Sequence, residues 1–125
     1  KHKRDFTYID DIVEGVIRVL DNPAKPDANF NPLSPSPDHS DAPFAIYNIG
    51  NDVSVELTRY VDLIEAELGK TAERNLLPLQ PGDIEESLAD VEPMRRDFGW
   101  TPKVSVEEGV PRFIEWFKTW TSGAS

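Results

Sequence analysis

The chain has 125 residues and a mass of 14.1 kDa, enough for one compact domain and too little for two well-buried ones. Its 13 Lys+Arg against 23 Asp+Glu give a net charge of −10, which argues against a nucleic-acid footprint and against adhesion to an anionic membrane, since both need clustered cations. The apolar share of 38%, with three tryptophans and no cysteine, argues for a packed core and excludes disulfides, thiolate catalysis and cysteine-ligated zinc.

No leader or spanning segment is visible, because the longest apolar stretch, Ile12 to Leu20, is cut by Glu14, Gly15 and Arg18. Together with the lack of cysteine this fits a cytoplasmic protein. The sequence opens on Lys1-His2-Lys3-Arg4 and reads as a piece of a longer protein, with a cleaved tag or a mature terminus as the alternative.

Phe6-Thr7-Tyr8-Ile9 predicts a short strand from its aromatic and β-branched content. Asp10-Asp11 predicts a helix N-cap and an acidic first turn. Ile12, Val13, Val16, Ile17 and Leu20 then recur at helical spacing, up to a stop near Asp21-Asn22-Pro23. Residues 22–43 hold six of the 11 prolines and predict a long surface loop.

Phe44 to Ile49 reads as a strand closed by Gly50-Asn51. Ser54 predicts the cap of a second helix, with Leu57, Val61, Ile64 and Leu68 on one face and Gly69 as its stop. Asn75 to Leu79 should be extended, Pro81-Gly82-Asp83 should turn, and Ser87-Leu88-Ala89 should form a brief strand. Asp90 is placed to cap a short helix ending at Phe98, with Pro93 in its first turn. Ser105-Val106-Glu107-Glu108 has the form of a capping box for a last helix. That helix carries a stripe of Val110, Phe113, Ile114 and Phe117, with Trp116 and Trp120 on the neighbouring row and a kink expected at Pro111.

Few residues offer chemistry. His2 and His39 lie in polar stretches without metal-pair spacing, and the acidic pairs Asp10/Asp11 and Glu107/Glu108 are explained by helix starts. Glu85/Glu86 follows a Pro-Gly turn, where loops often carry function. No nucleophile elbow and no glycine-rich phosphate loop occurs. No catalytic, cofactor-binding or metal-binding residue is therefore expected here. Two spots stand out. Arg4 is a fixed cation beside a helix N-terminus, suited to an anion such as a diphosphate. Gln80-Pro81-Gly82-Asp83 is a polar tight turn able to hold hydroxyls or amides.

Taken together, Arg4-Asp5-Phe6-Thr7-Tyr8-Ile9-Asp10-Asp11, Tyr47-Asn48-Ile49-Gly50, Gln80-Pro81-Gly82-Asp83, Ala89-Asp90, Phe98-Gly99-Trp100-Thr101-Pro102 and Glu107-Glu108-Gly109 resemble the C-terminal portion of extended short-chain dehydrogenase/reductase enzymes acting on nucleotide sugars. The wording around Arg4 and Asp83 is most similar to the UDP-glucuronate 4-epimerases, often found with capsule or cell-wall polysaccharide genes.

The resemblance implies an α/β lobe over residues 1–125, with about four helices and a few short strands, lacking its Rossmann domain. It implies a parent isomerase that uses NAD to epimerise UDP-glucuronate at C4 to UDP-galacturonate. None of Tyr8, Tyr47 and Tyr60 is followed four residues later by lysine, so this portion alone is expected to be inactive. Carried over, Arg4 holds the substrate diphosphate and Asp83 accepts from nucleotide hydroxyls. Gln80 stands where many relatives place a second phosphate-binding arginine, and Asp11 is structural. Expected partners are a UDP-sugar, the Rossmann domain and a second copy through exposed apolar surface. The alternatives are a 4,6-dehydratase or decarboxylase lobe and a non-catalytic acidic interaction module.

Overall fold

A computed structural model describes residues 2–123. In chain order it contains strand β1 (Lys3–Asp5), helix α1 (Ile9–Asp21), strand β2 (Ser54–Glu56), helix α2 (Leu57–Leu68), helix α3 (Glu92–Phe98) and helix α4 (Val106–Thr121). β1 and β2 pair antiparallel, with Lys3 opposite Glu56, Arg4 opposite Val55 and Asp5 opposite Ser54. On its other side β1 meets Glu86 in a single parallel bridge, closed by Lys3 N–H on the Glu85 carbonyl at 2.9 Å and Ser87 N–H on the Lys3 carbonyl at 3.2 Å. The class is α/β with four helices, as the sequence predicts.

Several local expectations shift. The first strand lies at Lys3–Asp5 rather than Phe6–Ile9, because the stacking of Phe6 on Tyr60 at 4.1 Å takes the following residues out of the ladder. α1 starts at Ile9 behind Tyr8, and Asp10 and Asp11 fall inside its first turn. Ser54 is a strand residue, and α2 begins three residues later behind Glu56. Gly69 ends α2 in the left-handed region, as predicted. Ser87 to Ala89 form no strand.

The capping box at Ser105 does not close. Ser105 is the N-cap, but the amides of Glu108 and Gly109 bond its carbonyl rather than its hydroxyl. α4 runs from Val106 to Thr121 and carries Pro111 inside it, where the ring leaves one intrahelical hydrogen bond unmade. α3 ends at Phe98 with Pro93 in its first turn, as predicted, but its N-cap is Val91 and not Asp90; Asp90 stands one residue earlier, where its carboxylate accepts the Glu92 amide at 3.0 Å.

The core is small. Val91, Met94 and Trp100 are fully buried, with Val19, Tyr47, Ile49, Ala89 and Phe98 packed on them. Val104, Val106, Val110 and Ile114 are buried as well. The predicted α1 face stays largely uncovered, with Val13, Val16, Ile17 and Leu20 exposed between 47% and 75%. Phe113, assigned to the buried stripe of α4, is 51% exposed, and Trp116 and Trp120 are open too. Phe44 to Ile49, expected as a strand, forms only a single bridge, Ala45 with His39. The chain therefore exposes 9196 Å², where a folded monomer of 14.1 kDa exposes about 6,700 Å².

Asp11 is the buried charge. Only 2% accessible, its Oδ2 accepts the amides of Lys103 and Val104 at 3.0 Å each, while its carbonyl accepts the Trp100 indole N–H at 3.1 Å. A buried carboxylate is tolerable only with such donors. Asp11→Ala leaves two amides without their acceptor, so urea denaturation should show a loss of about 2–4 kcal/mol. A loss under about 0.5 kcal/mol would contradict this account.

Candidate functional site

β1 is the axis of the site. Its middle residue, Arg4, directs its guanidinium toward the segment 83–85. Nη2 donates to Asp83 Oδ1 at 2.8 Å, and Nη1 donates to the carbonyls of Lys3 at 2.9 Å and Glu85 at 3.3 Å. The two charged side chains are 27% and 41% accessible, so the pair sits at the rim of the protein and not in its core.

The turn that presents Asp83 follows from local sequence. Asp83 N–H bonds the Gln80 carbonyl at 3.1 Å, and Gly82 takes φ 86°. Pro before Gly matches the type II requirement for a fixed first corner and a positive second one. Asp83 Oδ1 also accepts the Ile84 amide at 2.9 Å, which fixes the carboxylate relative to its own turn.

Of the three residues singled out from sequence, the fold brings Arg4 and Asp83 into contact and leaves Gln80 apart. The Gln80 amide group turns back to donate to the Pro78 carbonyl at 3.2 Å. One residue set aside in the sequence reading joins the site: His2 Nε2 lies 3.9 Å from Asp83 Oδ2. Strand alternation could have found it, because residues two apart on a strand share a face. The His2 carbonyl continues the ladder by accepting the Leu57 amide at 2.9 Å.

Beside His2 opens a groove of about 710 Å³, walled by Leu57, Val61, Leu77 and Leu79 with Arg74 and Glu85 at its edge. That volume falls in the range of small-molecule sites. Arg74 is engaged by Asp62 at 2.6 Å and Glu65 at 2.9 Å. Those bonds raise the Arg74 pKa, and the Ala72 amide, then Arg74, lower that of Glu65. Arg4 is thus the cation aimed at the turn, Asp83 the acceptor beside it, and the groove an apolar wall next to both.

Other candidates do structural work. His39 sits between Asp27 at 3.1 Å and Asp38 at 2.9 Å within the proline loop. Tyr47 donates to Asp97 at 3.0 Å, and burial first, then that carboxylate, raises its pKa. Tyr8 lies under the Arg112 guanidinium at 5.6 Å, and Tyr60 stacks on Phe6. Glu85 contributes its carbonyl, not its carboxylate, to the site.

The register of the site depends on Asp5. Its Oδ1 accepts the Asn51 amide at 2.5 Å and its Oδ2 the Ala89 amide at 3.0 Å, while its own amide donates to Ser87 Oγ at 3.3 Å. Gly50 leaves the room for this clamp: an added Cβ would lie 2.6 Å from Asp5 Oδ2 and against Ala89 Cβ. Gly50→Ala should therefore cost about 1–3 kcal/mol by overpacking, and thermal unfolding would reveal it. An unchanged melting temperature would show that the clamp yields freely.

Comparison with known proteins adds a pattern to this geometry. The protein-family model described as GDP-mannose 4,6 dehydratase matches residues 1–113. The chain is 43% identical over 114 residues to Protein CapI of Staphylococcus aureus, covering 91% of this chain and 34% of that protein. It is 40% identical over 115 residues to a "Probable UDP-glucuronate 4-epimerase" of Rhizobium meliloti (strain 1021), covering 91% and 34%. The crystal structure of UDP-glucuronic acid 4-epimerase from Bacillus cereus in complex with UDP-glucuronic acid and NAD matches with a TM-score of 0.71 at 23% identity, over 95% of this chain and 33% of that one; this last likeness is one of fold. The chain spans about a third of the length of these relatives.

Proposed function

The chain belongs to the GDP-mannose 4,6-dehydratase family of nucleotide-sugar epimerases and dehydratases, and we propose that it is the C-terminal nucleotide-sugar-binding lobe of a UDP-glucuronate 4-epimerase. In this reading Arg4 binds the diphosphate, Asp83 accepts from nucleotide hydroxyls, and Gln80 offers a neutral amide at the edge of the turn. The observation that carries it is the meeting of Arg4 and Asp83 at 2.8 Å across 79 residues of sequence, beside an apolar groove of nucleotide-compatible size. The relative named as a UDP-glucuronate 4-epimerase supports the choice of sugar. A place in capsular polysaccharide synthesis completes the proposal.

The parent's NAD has no cradle among the described residues. No strand here runs into a glycine-rich turn and helix start, and Gly15, Gly50 and Gly109 are packed against Trp100, Asp5 and Tyr8. In the proposed reading the dinucleotide, and the redox chemistry it supplies when bound, are held by a Rossmann portion of the parent. The open apolar face of α1 supports such a neighbour, since exposed apolar surface of this extent marks an interaction site. A cytoplasmic location agrees with this chemistry, and no described helix is long and apolar enough to cross a membrane.

Two other readings have a specific footing. The description of the matching family model keeps a 4,6-dehydratase in play. The exposed Trp116 and Trp120 favour an acidic interaction module, because aromatic anchors are enriched at interfaces.

UDP titrated into the lobe should shift the amides of residues 2–5, 80 and 82–87. Its affinity should fall with salt and drop about tenfold in Arg4→Ala, the low end for a charge-assisted bond. Amide shifts confined to α4 would instead support the interaction module. In the longer parent, formation of UDP-galacturonate from UDP-glucuronate separates the epimerase from a dehydratase, which would need a nucleotide hexose with a C6 hydroxyl, release it as water and leave a 4-keto-6-deoxy sugar.

A further inference from the structure

The guanidinium assigned to a diphosphate is already partnered. Nη1 is held by the Lys3 and Glu85 carbonyls, which carry no net charge and leave Arg4 a full cation in a fixed pose. Nη2 is held by the Asp83 carboxylate, which is anionic and stands where a phosphate oxygen would have to come. A phosphate meeting Arg4 as drawn would share one edge of the fork with a like charge, and the low dielectric of a partly covered site sharpens that conflict.

Other nearby charges do not resolve it. Lys3 lends its backbone, Glu85 and Glu86 add acid to the segment that follows, and His2 approaches the far oxygen of Asp83 at 3.9 Å. Arg74, on the groove rim, is committed to Asp62 and Glu65.

We propose that the Arg4–Asp83 ion pair is an exchange latch that makes the site selective for phosphate esters carrying hydroxyl groups over bare phosphate or pyrophosphate. This rests on the assignment of Arg4 and Asp83 to nucleotide binding made above. On entry, the phosphate takes Nη2 from Asp83 while the two carbonyls keep Arg4 in place. The displaced carboxylate retains the Ile84 amide on Oδ1 but loses its cationic partner. A ligand with hydroxyls replaces that partner with O–H donors, whereas pyrophosphate leaves Asp83 unpaired and facing new negative charge. Asp83 thus rejects one anion and accepts another by the same group, in the way a site built to bond hydroxyls rejects ligands that lack them.

The pair is partly exposed, so its competition is modest: exposed ion pairs correspond to about 1.4- to 5-fold in an equilibrium constant, and removing the phosphate–carboxylate repulsion adds to that. The test compares UDP and inorganic pyrophosphate on the lobe and on Asp83→Asn at one fixed low ionic strength. Asn preserves shape and the acceptor for Ile84 without charge.

The latch predicts pyrophosphate binding about fivefold tighter in Asp83→Asn, and a UDP-over-pyrophosphate preference that shrinks about tenfold. Asp83→Ser should show the same direction, which guards against a shape effect peculiar to Asn. Pyrophosphate affinity unchanged or weakened in both variants would overturn the latch, and the nucleotide assignment would survive if Arg4→Ala still weakened UDP. Failure of UDP to bind the native lobe and both variants would instead overturn the assignment, and the latch with it.

Discussion

The Asp5 carboxylate is the constraint on which the arrangement turns. One oxygen takes the amide of Asn51 and the other that of Ala89, so a single side chain in β1 ties together three segments that are remote in sequence. Small two-stranded sheets are marginal in water, and β1–β2 has only three residue pairs. The clamp supplies what the ladder lacks, because charge-assisted bonds from backbone amides to a carboxylate are about twice as strong as neutral ones. Once Asp5 is fixed, Arg4 beside it has one side of the strand available, and the segment 83–87 is held within its reach.

Asp11 does for the helical side what Asp5 does for the sheet. It fastens the 100–104 connection to the start of α1 through two amides, and Trp100 adds its indole bond to the same turn. The two aspartates lie six residues apart, and each joins the N-terminal segment to the C-terminal third of the chain. Acidic residues in a first helical turn ordinarily earn only a dipole interpretation. Here Asp10 fits it and Asp11 exceeds it.

The unusual economy of this protein lies in what it leaves open. Its core is short of the surface it could bury, and the apolar residues of α1, the Phe113–Trp116–Trp120 row of α4 and the groove wall at Leu76, Leu77 and Leu79 all face outward. Such surface on a monomer marks interaction sites. The Trp116 and Trp120 rings stack on each other at 5.9 Å, which satisfies part of their own area without covering it. The α1 face has no such internal relief.

Features whose cause is local were legible in the sequence. The end of α1 before Pro23, the stop of α2 at Gly69, Pro93 inside the first turn of α3 and the Pro81-Gly82 turn all follow from φ limits and missing donors that act within a few residues. The identities of Arg4 and Asp83 as candidate residues were legible too, through the motif strings that contain them. What only the tertiary structure decided is long-range. It set which amides Asp5 and Asp11 accept, drew His2 into the site, turned Gln80 away from it, and paired Arg4 with Asp83 in place of leaving it open. It also exposed the apolar faces that helical periodicity assigns to a core, because periodicity reports that a face seeks cover and says nothing about which partner provides it.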